Sequence, residues 1–153
     1  MKKNYIYLII LIVCTIFLTL FLSSLYKKET IQVSYAYENL NKITSKEFEE
    51  YLLENPDAII YIGDKTNIKN NKIEKKIINK IIKLNLLEKA IYIEKEDIVN
   101  SFEKILKEKY NYKYEEKNLP VMLLIVDGEL SQKILINKQT NVNDFIDYEV
   151  FEW

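Results

Sequence analysis

The stretch Asp57–Lys76 reads DAIIYIGDKTNIKNNKIEKK. Ala58–Ile62 is a continuous apolar run, the pattern of a strand covered on both faces. Gly63 closes it and a polar loop follows. From Ile73 the apolar positions recur at helical spacing, with Ile73, Ile77, Ile81 and Leu84 on one stripe and Ile78 and Ile82 beside it. A strand therefore hands over to a helix. Such junctions favour reactive groups, because a helix N-terminus offers unpaired N–H donors and the positive end of the dipole. Yet the loop GDKTNIKNN, residues 63–71, holds no Cys, His or Ser.

Outward from this junction the chain alternates. Ala90–Ile93 is a second buried run, so strand, helix and strand predict a parallel, right-handed crossover. Upstream, Thr44 and Glu47 have capping-box spacing, and Phe48, Tyr51 and Leu52 give a helical apolar face. Asn55-Pro56-Asp57 stops that helix, since the residue before a proline disfavours the α region. Downstream, Ile98, Phe102, Ile105 and Leu106 predict a helix closing near Lys109, and NYKYEEKN, residues 111–118, reads as a loop. Pro120–Val126, Asp127-Gly128 and Glu129–Ile136 read as a hairpin, because Asp-Gly between strand-like runs is the strongest short hairpin signal. A short helix over Asn143–Tyr148, capped by Asn141 or Asn143, completes the order. IQVSYAY, residues 31–37, alternates weakly and reads as a linker or a first edge strand. The expected class is α/β, a mixed central sheet flanked by helices in one domain.

Composition narrows the chemistry. The 153 residues include no histidine and one cysteine, Cys14, with 22 basic against 23 acidic side chains. This excludes histidine acid/base catalysis, His or Cys metal sites and an internal disulfide. The balanced charge gives no global field toward nucleic acid, so no nucleic-acid partner is expected. No phosphate loop, nucleophile elbow or nucleotide fingerprint is present, and no cofactor is expected. Glu49-Glu50 and Glu115-Glu116 are adjacent pairs that point to different sides and form no acid/base pair. The tyrosines between Tyr110 and Tyr114 suit amphipathic loop packing better than a ligand surface.

Tyr5–Leu25 runs for about 21 residues without a charge, enough to cross a bilayer core. A cleaved secretory signal has a shorter apolar region of about 7–15 residues, and the cleavage-like Ser34-Tyr35-Ala36 lies far downstream. Residues 1–28 are therefore expected to be an uncleaved membrane anchor, 29–39 a linker or edge strand, and 40–153 the domain. Val13 is too large for a lipoprotein cleavage site before Cys14. Lys2 and Lys3 precede the span and Lys27 and Lys28 follow it, nearly a tie by the positive-inside rule. The short N-terminal tail with its free amine favours the inside, which puts the domain outside a cell membrane crossed once.

The order helix, strand, helix, strand, helix, hairpin, helix, with NLPVMLLIVDGEL at its hairpin, resembles the thioredoxin fold over residues 40–151. Three pieces carry the resemblance: ITSKEFEEYL as first helix, DAIIYIGDKTNIKNNKIEKK as central strand and active-site helix, and LPVMLLIVDGEL as proline-led hairpin. Thioredoxins place Cys-x-x-Cys at the N-terminus of that second helix, where the dipole lowers the first thiol's pKa. Aligned on strand end and helix start, Asn67 and Asn70 stand at the two cysteine positions, with Ile68 and Lys69 between them. Pro120 matches the proline those proteins hold in cis beside the redox pair. A more specific resemblance, resting on architecture and a YIG-type strand end, is to small membrane-anchored thioredoxin-like proteins of Gram-positive bacteria, including the bacteriocin transport accessory group. It implies help in exporting or folding a secreted peptide, with the membrane and a secreted peptide or membrane transport protein as partners.

Thiol–disulfide exchange requires a thiolate, which an amide cannot supply, and Cys14 lies inside the apolar span with no resolving partner. No catalytic residue is expected. Two readings of Asn67 and Asn70 stand. They serve as loop and cap residues, or, with Ile68, Lys69, Leu119 and Pro120, they form a degenerate active-site surface that still binds an extended peptide. Asn71 and Glu74 also have capping-box spacing, which would start the helix there. Rival functions are an oxidoreductase relative working with a partner's thiol, and a structural protein of a membrane complex.

Overall fold

The computed structural model describes residues 2–29 and 32–141, with side chains over 5–24 and 32–141. The helix expected at Asn143–Tyr148 lies outside the described residues. The chain divides into two compact units, Met1–Gln32 and Val33–Trp153.

The first unit is helix α1, Lys2–Glu29. Within it, Tyr5–Ser24 is 20 residues long and apolar enough to cross a membrane by length and composition. Its two threonines are matched to that setting. Thr15 donates its hydroxyl to Ile12 O at 2.8 Å and Thr19 to Thr15 O at 2.9 Å, so neither needs water.

The second unit runs α2 (Tyr35–Asn39), β1 (Asn41–Lys42), α3 (Phe48–Glu54), β2 (Ala58–Gly63), α4 (Asn71–Lys83), β3 (Ala90–Glu94), α5 (Asn100–Tyr110), β4 (Val121–Val126) and β5 (Glu129–Leu135). The sheet order is β1-β3-β2-β4-β5, with β1 and β2 parallel to β3, and β4 antiparallel to β2 and β5. Every residue of β2 is buried, as its unbroken apolar run requires. Side-chain alternation splits the core in two. Ile59, Tyr61, Tyr92, Met122 and Leu124 pack with Ile77, Ile78 and Ile81 of α4 and Ala36 of α2. Ile60, Ile62, Ile91, Ile93 and Leu123 point the other way, onto Phe48 and Leu52 of α3 and Phe102 and Leu106 of α5. Phe48 and Phe102 meet edge-to-face, ring centroids 4.7 Å apart.

The Asp-Gly turn is built as expected: Asp127 and Gly128 have φ of 53° and 76°, the pair of positive values that a two-residue type I′ hairpin needs. It is also anchored. Gly128 N donates to Pro56 O at 2.8 Å and Asp127 N to Asp57 Oδ1 at 2.9 Å.

The segment 29–39 departs from expectation. Its described residues form no strand: Tyr35–Asn39 is α2, and the compact unit begins at Val33 rather than at residue 40. Ser34 caps the helix by accepting from Tyr37 N at 3.3 Å, and Ala36 is fully buried against α4. The edge pairing falls to Asn41 and Lys42 instead. The Thr44/Glu47 box forms by half: Glu47 Oε2 accepts both the Thr44 N–H and its hydroxyl at 2.8 Å. Residues 45–47 form a turn ahead of α3.

Candidate functional site

The loop after β2 is organised by its own polar side chains. Asp64 Oδ1 accepts from Thr66 N at 2.8 Å and from Thr66 Oγ1 at 2.6 Å, an Asx-type turn. Its other oxygen pairs with Lys95 Nζ at 2.8 Å. The Lys95 contact, with Thr66 assisting, holds the Asp64 carboxyl down to about 2. Asn67 then caps a single 3-10 turn, Ile68–Asn70, by accepting from Lys69 N at 3.3 Å, and α4 follows directly.

Asn70 does no capping. Its Nδ2 donates to Ile136 O at 3.2 Å, and Ile136 N donates to Pro120 O at 2.9 Å. One residue just past β5 thus links NIKN to the start of β4. The Leu119–Pro120 bond is cis, a state the sequence left undecided. Asn67, Lys69 and Asn70 line one open depression together with Asn137, Lys138 and Gln139. Ile68 is 39% exposed. Pro120 is buried, and Leu119 packs on the opposite-face cluster with Phe102 and Val121. Leu119 N donates to Glu116 O at 3.1 Å, so backbone pairing there is left to its carbonyl. The structure therefore joins Asn67, Lys69, Asn70 and the Pro120 backbone, and leaves Leu119 at the margin.

Beneath the loop lies a polar array that sequence reading missed. Glu74, 1% exposed, accepts from Tyr61 Oη at 2.8 Å, Ser34 Oγ at 2.9 Å and Ala36 N at 3.0 Å. Asn71 accepts from Tyr35 N at 3.0 Å and donates to Val33 O at 3.2 Å. The expected Asn71/Glu74 box is thus not made, because both side chains turn to Val33–Ala36, the approach to α2 and its first turn. The rings of Tyr61 and Tyr92 stack with centroids 5.7 Å apart. Tyr92 Oη donates to Glu94 Oε2 at 3.3 Å, and Lys65 N donates to the same oxygen at 3.0 Å. Burial, with the nearby carboxylates, pushes both phenols up, so they stay neutral donors. Burial likewise raises Glu94, against the lowering pull of the Lys65 N–H. The signals that could have flagged this array were a glutamate interrupting the α4 apolar stripe and tyrosines inside two otherwise aliphatic strands.

The array contains no cysteine or histidine, and among the described residues no group of three or more His, Cys, Asp or Glu side chains could hold a metal ion. Cys14 lies in the first unit. Tyr110 and Tyr112 are buried and Tyr114 packs against the α3/α5 cluster, which is the loop-packing role expected of them.

The site sits at a thioredoxin-type strand–helix junction. Neither a family model nor a curated protein matches the sequence. Among solved structures, the chain is similar to one described as "a putative oxidoreductase with a thioredoxin fold", at 17% identity and a TM-score of 0.53, over 71% of this chain and 92% of that one. The second unit has a thioredoxin-like fold, preceded by one apolar N-terminal helix.

Proposed function

We propose that the second unit is a peptide-binding accessory module without thiol–disulfide chemistry, tethered to a membrane by α1 and serving the export or folding of a secreted peptide. The observation that carries this reading is the bridge from Asn70 through Ile136 to Pro120. Loop, helix N-terminus and proline-led strand stay joined at the place where the resemblance puts a redox pair, while the residues present are amides. An extended chain can be held there by backbone and amide hydrogen bonds with no thiol. Binding is weak, since an open groove gains little beyond the cost of ordering the peptide.

The second reading, an oxidoreductase relative that borrows a partner's thiol, is favoured by the description of the solved neighbour. Two measurements on the full chain in phosphatidylcholine nanodiscs separate them. Insulin reduction under dithiothreitol should not exceed the reductant alone, and turnover above it would remove the first reading. Amide shifts on titration with extended peptides should gather at Asn67–Asn70 and Asn137–Gln139. Shifts gathered at Tyr110–Tyr114 would place binding elsewhere and leave the asparagines as loop and cap residues.

A further inference from the structure

We propose that this surface takes an acidic peptide segment, its carboxylates held by Lys69, Lys72, Lys76 and Lys138; the proposal rests on the peptide-binding reading above. Lys69 and Lys138 line the open depression at NIKN, and both also line the adjoining one with Lys72, Ile73 and Lys76. Among the described residues no acidic side chain lines either depression. Among the described residues none of the four lysines makes an ion pair, whereas Lys65, Lys95, Lys113 and Lys117 all find carboxylates. In a chain whose charges nearly cancel, this is a local excess of one sign. α4 carries five lysines against one glutamate, and that glutamate is buried with three donors on its carboxylate. The N-terminal end of the α4 dipole adds field of the same sign.

The lining favours a peptide over a lipid surface. Asn67, Asn70, Asn137 and Gln139 line the recess, and amides pair with an extended backbone; Asn67 and Asn137 already accept from Lys69 N and Gln139 N, which leaves their N–H groups to donate. Asn70 spends one N–H on Ile136 and keeps its oxygen as an acceptor. Exposed Ile68 and half-buried Ile73 offer apolar contact between the lysines. A headgroup layer would need the lysines but not an amide-lined recess.

The test uses the full chain in phosphatidylcholine nanodiscs and fluorescently labelled short peptides of Asp and Glu around one Leu, beside their Asn/Gln counterparts. The acidic peptide should bind about tenfold tighter at low salt, and the advantage should collapse near about 0.5 M salt, where screening acts within a few ångströms. Lys69→Glu with Lys138→Glu should abolish the preference, and Lys107→Glu on α5 should not. Equal binding of the two peptides at the recess overturns the acidic class and leaves the peptide reading standing. Failure of both peptides to bind removes that reading as well. Binding indifferent to the double substitution overturns the assigned site. Shifts at Lys69 and Lys138 when phosphatidylglycerol replaces phosphatidylcholine, with no response to the acidic peptide, overturn the peptide in favour of an anionic membrane surface. Residues 142–153 carry Asp144, Asp147, Glu149 and Glu152 and no basic residue. Binding seen only after their removal overturns a partner in trans and assigns the surface to the chain's own tail.

Discussion

A methyl group at Gly63 would sit 2.9 Å from Tyr61 Cε1 and 3.3 Å from Tyr92 Oη. Neither ring can give way, because they stack on each other and Tyr61 is pinned to Glu74. Gly63→Ala should therefore cost about 2 kcal/mol through overpacking, read as a fall in Tm of several degrees. A change within the error of the melt would mean that the tyrosine pair is not tightly held. Asp64 gives a pH signature. Its folded pKa of about 2 lies below the ordinary 3.8, so its ion pair and hydrogen bonds stabilise the fold above the ordinary value, and this contribution fades as pH falls through about 2. Lys95→Met removes the leading cause. With side chains 22% and 28% exposed the pair is screened, and the loss near pH 7 should be about 1 kcal/mol. Denaturation curves of wild type and variant should converge by about pH 2; a constant offset would assign the effect to packing of the Lys95 stem.

At the scale of elements, α2 has five residues, too few to be stable alone. It holds its place through Glu74, which takes the Ser34 hydroxyl and the Ala36 N–H while gripping Tyr61. Glu74→Ala orphans three donors in a dry site and should cost about 3 kcal/mol or more, with loss of hydrogen-exchange protection at Ala36 ahead of the strands. Exchange at Ala36 that keeps pace with β2 would show α2 and the sheet opening together. The same contact explains what the sequence disclosed and what it hid. β2, its loop and α4 were legible because burial on both faces and a 3.6-residue stripe leave signatures within a dozen residues. α2 was not, since its partner lies 38 to 40 residues away and IQVSYAY looks like weak alternation. NIKN could be placed by its position between strand and helix. Asn137, Lys138 and Gln139 could not, because they reach it only once β5 has paired with β4 and β4 with β2.

At the scale of the whole molecule, one helix is apolar enough to hold the chain in a bilayer. The full chain should stay in the membrane pellet after alkaline carbonate washing, and a chain lacking residues 1–28 should move to the supernatant. Retention of the shortened chain would show that the second unit binds membranes by itself. Protease added to intact cells should remove the second unit if it faces outward, whereas protection until lysis would reverse the expected orientation.

The Asn71 side chain holds both Val33 O and Tyr35 N at the first turn of α4. These are among the first described residues of the second unit, where the chain from α1 comes in. Tension entering the second unit at Val33 is thus met by the Asn71 and Glu74 hydrogen bonds, at the head of the helix that carries the candidate site, before it reaches the sheet. Mechanically the recess lies at the loaded end of the fold, and a pull that strips α2 away would distort the NIKN loop while the strands remain paired.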